Sequence, residues 1–319
     1  ITVVSYQETQ EDFDELMNYT RERFQQLNKL FDIYNSYEGI NNIKTINDMA
    51  GKEPVKVDEE IIRLIEFSKQ WYDKSHGKVN IALGSVLRIW HDTREQAENG
   101  NIALPSIDAL QGANEHTDIS KIVIDHTNST VFLPDSEMSL DVGAVAKGYA
   151  TEVVCDELEQ KYDNFAISAG GNVKTHGHPK DGRTRWGVGI QNPAVDADYQ
   201  MVGGNIDLAY IGTDKSLVCS GGYQRFFVYE GRRYHHLIDP DTLFPEEYYQ
   251  GVTVMCENSG DADALSTAIF MMKSDEAVEF IQAIDGAECL LVMEDGTIVK
   301  SKGMDSVLKS KGVTSKTPC

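Results

Sequence analysis

Apolar residues recur at helical spacing over residues 8–31, where Phe13, Leu16, Met17, Phe24, Leu27 and Phe31 fall on one side. The same period over 58–75 aligns Ile61, Ile62, Leu64, Ile65 and Trp71 as a core-facing stripe, with Asp58 as N-cap. Short alternating runs follow. Residues 121–125 and 130–133 read as a hairpin around Asn128, and 164–168, 186–190, 206–211 and 216–219 as strands. A hairpin joins 223–229 to 233–238 across Glu230-Gly231, residues 252–256 form a strand, and a last hairpin, 289–293 with 297–300, turns at Asp295-Gly296. Helices are predicted from the end of a loop at 141–148 to about Lys161, over 261–272 with Asp261 at its cap, and over about 275–284. Helices and strands mix without regular βαβ alternation. The predicted class is therefore α+β, with mixed and antiparallel sheets and packed helices.

A chain of 319 residues accommodates one large domain or two intimate subdomains, and 1–319 is read as a single domain. Residues 92–118 have few apolar anchors; they read as a surface excursion, either a lid or an ordinary variable loop. The polar stretch 309–319 is expected to fray. With 41% hydrophobic and 25% charged residues, the chain is globular rather than disordered. Its 29 basic and 51 acidic residues give a net charge of −22, which argues against nucleic acid as a partner. A nucleotide ligand remains compatible, because one phosphate site needs only local donors or a metal. The five cysteines are scattered, without C-x-x-C; Cys155, Cys219, Cys256 and Cys289 read as buried thiols. No run of 18 apolar residues spans a membrane. The first residue is Ile1 rather than Met, so a signal segment is expected to have preceded it.

Four segments carry candidate chemistry. In Asp141-Val-Gly-Ala-Val-Ala-Lys-Gly-Tyr-Ala150, Gly143 permits close backbone approach, and the helix after it aims free N–H groups at an anion. Lys147 would reach a phosphate and Asp141 a base or ribose, although a plain strand-to-helix turn explains the same residues. Ala169-Gly-Gly-Asn172 suits a tight turn or a ligand approach. His235 and His236 alternate on a strand and so point to opposite faces. Asp263 and Thr267 lie four apart on one helix face, a carboxylate and a hydroxyl suited to Mg²⁺. By spacing alone, an acidic first turn that favours the helix dipole is the better account.

Taken in order, these segments resemble the FAD:protein FMN transferases, the ApbE-like flavin transferase family, over nearly the whole chain. Tyr34 to Asn47 is similar to the family's S-x-Y…I-x-x-I-N stretch. His76-Gly-Lys-Val-Asn80 with Val86 to Trp90 resembles its G-x-F-D…L…W segment, and Asp141 to Ala150 its D-x-G-x-x-A-K-G-Y motif. Ala169 to Asn172 resembles G-G-D/N, His236 to Pro240 resembles H-x-I-D-P-x-T-G, and Asp263 to Thr267 matches A-D-A-L-(S/A)-T. The family's Phe-Asp is Val79-Asn80 here, and the glycine after H-x-I-D-P-x-T is Leu243, so that turn is expected to differ. The family's Met-Gly-Thr lies before the first residue.

The resemblance implies an ApbE-like fold and three metal ligands: the Ala144 carbonyl, the Asp263 carboxylate and the Thr267 hydroxyl. It implies FAD contacts from Asp141 and Lys147, a pocket lined by Lys78, Val79 and Asn80, packing by Ile238, and His236 as the base. The implied reaction is Mg²⁺-dependent transfer of FMN from FAD to a Thr or Ser hydroxyl, releasing AMP. The implied acceptor is a redox membrane protein, and the implied location is extracytoplasmic, with a lipid anchor. An FAD pyrophosphatase of the same fold and a non-catalytic FAD-binding lipoprotein are the alternatives.

Overall fold

A computed structural model describes residues 1–100, 103–223 and 225–317. The chain begins β1 (Thr2–Ser5), α1 (Gln10–Phe31), α2 (Ile43–Asp48), β2 (Val55–Lys56), α3 (Glu59–Lys74), α4 (Gly84–Glu98) and α5 (Ile107–Asn114). There follow β3 (Val123–Asp125), β4 (Thr130–Phe132), α6 (Ala146–Leu158), β5 (Phe165–Ala169), β6 (Asn172–His176), β7 (Trp186–Gln191), β8 (Asn205–Ile211) and β9 (Lys215–Gly221). The last elements are β10 (Phe226–Tyr229), β11 (Arg232–His235), β12 (Tyr249–Cys256), α7 (Ser259–Phe270), α8 (Ser274–Gln282), β13 (Glu288–Met293) and β14 (Ile298–Lys300). The class is α+β, as the patterning predicts. The chain divides into two compact units: 1–24, 147–223 and 247–319 form the first, and 25–146 with 224–246 the second.

The first unit is built on an antiparallel sheet in the order β1-β5-β6-β9-β12-β13-β14. Side chains alternate across it. Leu217 and Met255 join Trp186 and Ile190 of β7 and Ala209 and Ile211 of β8 in one apolar cluster. Their neighbours Val218 and Val254 point to the opposite face, and α7 packs against β9 and β12. Every residue of α7 except Asp261 is buried. A helix buried on nearly all sides is a core element even where it carries polar side chains, so α7 holds Asp263 and Thr267 in a fixed place.

In the second unit, α3 shows how local signals set an element. The Asp58 side chain accepts the Glu60 N–H, Glu59 and Glu60 occupy the first turn, Lys74 the last, and Ile61, Ile62, Leu64, Ile65 and Trp71 are buried. The unit also holds the β2-β4-β3 sheet and the β10-β11 hairpin, which turns at Glu230-Gly231.

Several expectations need correction. Residues 92–118 are largely helical: α4 runs to Glu98, and Ser106 caps α5, while 101–102 lie outside the described residues. The buried Leu110 and the packed Ala97 and Leu104 anchor this stretch in a cluster with Trp90 and Ile238. Residues 309–317 are tied down, since the Ser315 carbonyl accepts the Thr184 N–H and the Arg185 guanidinium reaches the Thr317 carbonyl; 318–319 lie outside the described residues. Asn258, not Asp261, caps α7, accepting the Asp261 N–H. The strand β6 had no sequence signal. The thiols of Cys155, Cys256 and Cys289 are buried as expected, and burial pushes Cys256 up to about 12 and Cys289 up to about 11, far from reactive thiolates. Cys219 is only partly buried.

Candidate active site

In the first unit, the start of α6 meets the start of α7. Asp263, only 1% exposed, accepts the Gly148 N–H at 2.8 Å and lies 3.2 Å from Lys147 Nζ. Gly148 makes this approach possible, because a Cβ there would lie 2.2 Å from the Ser259 carbonyl oxygen and 2.5 Å from Asp263 Cβ. The Lys147 side chain is half exposed, with its ammonium turned to the carboxylate. One turn along α7, Thr267 is buried. A helical threonine commonly returns its hydroxyl to the carbonyl four residues back, but here Ser266 Oγ takes the Asp263 carbonyl at 2.9 Å. Among the described residues the Thr267 hydroxyl makes no hydrogen bond. A buried carboxylate and an uncommitted hydroxyl on one helix face fit a hard, oxygen-seeking cation. An acid placed only for the helix dipole has no need of burial.

The second unit holds Lys78, Val79, Asn80, Asp141, Ala144, His236 and Ile238. Asn47 exchanges hydrogen bonds with both backbone groups of Leu140, and the Asp141 N–H donates to the Ile81 carbonyl at 2.8 Å. The segment after Lys78 thus runs beside Asp141. Burial pushes the Asp141 carboxyl up, opposed by the Gly143 N–H and by the charges of His91 and Arg225. Ala144 lies in the loop that follows, two residues before α6 begins. Lys78 Nζ bonds Asp239 at 2.9 Å and Asp241 at 2.8 Å. Burial disfavours the Lys78 ammonium, but its bonds to Asp241 and Asp239 outweigh that and raise its pKa. Asn80 accepts the Ala82 N–H and donates to the Thr117 carbonyl. Val79 is fully buried, with its N–H on Ser75 Oγ, so its side chain offers no surface to a cofactor. Ile238 packs with Leu83, Trp90 and Tyr234.

The two adjacent histidines separate clearly. His235 is buried, with Nε2 on the Glu246 carbonyl at 2.7 Å and Nδ1 accepting the Leu237 N–H. His236 is partly exposed, with Nδ1 3.3 Å from the Arg225 carbonyl. Donation from Nδ1 to that carbonyl would leave the lone pair on Nε2. Leu243, in place of a glycine, still takes the left-handed φ of 62°. The turn therefore keeps a glycine-like backbone, against expectation, at a cost of about 1–2 kcal/mol. It is held by the Leu243 N–H on the Asp239 carbonyl and by Trp90 Nε1 on the Leu243 carbonyl.

With this geometry in view, comparison with known proteins is decisive. The model of the ApbE family matches residues 1–291. The chain belongs to the ApbE family. A FAD:protein FMN transferase of Treponema pallidum is 31% identical over 276 residues, 82% of this chain and 73% of that protein. One from Klebsiella pneumoniae is 28% identical over 280 residues, 87% of this chain and 83% of that protein. The crystal structure of the ApbE protein from Thermotoga maritima superimposes with a TM-score of 0.80 at 30% identity, covering 94% of this chain and 92% of that one. The fold of this chain is thus ApbE-like.

Sequence reasoning missed several residues that the second unit places around Asp141 and Lys78. Arg225 and Arg94 bear on Tyr34, whose hydroxyl burial and the Asp141 charge push up. Arg225 has no motif around it. Asp239, buried beneath Lys78, is a second omission, although H-x-I-D-P contains it. Replacing Lys78 by Met leaves that carboxylate buried without its cation. Lys78→Met is expected to lower the unfolding free energy by about 3 kcal/mol, read by urea titration; a loss under about 0.5 kcal/mol would assign the pair no structural role.

Proposed function

We propose that this protein is a Mg²⁺-dependent flavin transferase that moves FMN from FAD to a Thr or Ser hydroxyl of an acceptor protein. The reading rests on one observation above all: the buried Asp263 carboxylate one turn from an uncommitted Thr267 hydroxyl. The relatives called FAD:protein FMN transferases supply the substrate and product. Asp263 and Thr267 would hold the cation, and the Ala144 carbonyl is the third ligand that the family resemblance implies. When bound, it would neutralise charge developing on the pyrophosphate.

The chain's own residues do the rest. Lys147 offers its ammonium to a phosphate, and Asp141 its carboxyl to a polar edge of FAD. Asn80 and Ile238 shape the pocket wall in this reading, with Lys78 fixing the 236–241 turn. His236 takes the proton of the acceptor hydroxyl. That oxygen bonds to the phosphorus on the riboflavin side, the bond to AMP breaks, and AMP leaves. The acceptor is read as an extended segment of a redox membrane protein, and the location as extracytoplasmic with a lipid anchor; both rest on the family resemblance. Among the described residues no helix is long and apolar enough to cross a membrane.

Incubation with FAD, Mg²⁺ and a threonine-bearing acceptor tests the reading. A mass gain of one FMN on the acceptor, with AMP in equal amount, is the expected result. Free FMN with AMP would make the protein a pyrophosphatase instead, and no AMP would leave only FAD binding.

A further inference from the structure

We infer that Glu152, outside every motif above, is a positioning residue that sets the cation ligands of α7 against α6. The inference rests on the reading of Asp263 and Thr267 as those ligands.

The first turns of two helices leave backbone N–H groups without helical partners. Here α6 and α7 satisfy one each for the other. The Gly148 N–H of α6 goes to Asp263 of α7 at 2.8 Å, and the Ser259 N–H of α7 goes to Glu152 Oε2 of α6 at 2.5 Å. A carboxylate at a helix start also favours the helix dipole. The other oxygen of Glu152 accepts from Lys174 Nζ at 2.9 Å, and the same ammonium reaches the Glu257 carbonyl at 2.7 Å. Ser216 Oγ adds a bond to that carbonyl, and Asn258 caps the helix itself. Residues 257, 258 and 259 are therefore each gripped just before the turn that carries Asp263.

The Glu152–Lys174 pair is nearly buried, with side chains 13% and 6% exposed. Buried ion pairs add little net stability against apolar groups of the same volume, and fixing a geometry is their better-attested use. Glu152 has no hydrogen bond to Asp263 or Thr267, so its effect passes through the register of α7.

Glu152→Ala alone strands the Lys174 charge, so the deciding comparison uses two charge-free pairs in the full chain. E152Q/K174M keeps an amide oxygen for the Ser259 N–H, whereas E152M/K174M offers none. Mn²⁺, a hard cation with a spectroscopic signature, serves as the probe. Electron paramagnetic resonance titration should show E152M/K174M binding Mn²⁺ about fivefold more weakly than E152Q/K174M, the worth of one neutral hydrogen bond. The FMN transfer rate at saturating metal should match between the two, which separates positioning from chemistry. Equal Mn²⁺ affinity in the two folded variants overturns the inference. Wild-type protein that fails to bind Mn²⁺ overturns the cation site as well, while loss of binding in Asp263→Asn with both pairs unaffected overturns the role of Glu152 alone.

Discussion

Asp263→Asn is expected to lower the rate of FMN transfer by on the order of 10³ while leaving the fold intact. The amide keeps an oxygen for the Gly148 N–H, so the contact at 2.8 Å between α6 and α7 survives. What disappears is a full negative charge in a buried place, the one feature a divalent cation requires and an amide cannot replace. Lys147 loses its ion partner too, but its side chain is 49% exposed and water takes over the ammonium. Two measurements separate chemistry from folding. Urea titration should show little change in stability. Saturating Mg²⁺ should raise the melting temperature of the wild type, since a ligand at a hundred times its Kd adds about 2.7 kcal/mol, and should leave the variant unmoved. Full transfer activity in Asp263→Asn with Mg²⁺ would remove the metal assignment.

The legible parts of the fold are those whose causes are local. The cap at Asp58, the stripe from Ile61 to Trp71 and the turns at Glu230-Gly231 and Asp295-Gly296 are written within a few residues of where they act. The strand β6 is not. Asn-Val-Lys-Thr-His carries a lysine and a histidine, and its place in the sheet depends on pairing with β5 and β9 and on the burial of Lys174 against Glu152. The helix in 92–98 has the same lesson: its sequence is polar, yet Thr93 and Ala97 continue the packed face of Val86 and Trp90.

The site divides along the same line. Spacing put Asp263 and Thr267 on one helix face but on its own favoured an ordinary acidic first turn. Burial of Asp263 is something an acid serving only the helix dipole does not need, and that burial depends on the sheet beneath α7. Glu152 was invisible because the N–H it holds lies 107 positions later. His235 and His236 illustrate a partial success. Alternation separates their faces, but only the bonds to Glu246 and Leu237 show which one is committed to structure.

Gly148→Ala should destabilise the protein by about 2–3 kcal/mol, although alanine is the better helix former by about 1 kcal/mol. Gly148 lies within α6 and has no positive φ, so its backbone does not call for glycine. Space does. An added methyl would sit 2.2 Å from the Ser259 oxygen and 2.5 Å from Asp263 Cβ, and the first of these is backbone that cannot swing aside. The start of α7 must then back away from α6. That movement breaks the Gly148–Asp263 hydrogen bond and slackens the Glu152–Ser259 contact, so metal affinity and FMN transfer should fall with stability. Gly112 provides the control. It too is helical, in α5, and a Cβ there meets nothing within 4 Å. Gly112→Ala should therefore stabilise the protein by about 0.5–1 kcal/mol and leave transfer unchanged. Urea titration of the two variants side by side measures the difference directly. If Gly148→Ala were as stable as wild type and retained full metal affinity, the close approach of the two helices would have no part in holding the site.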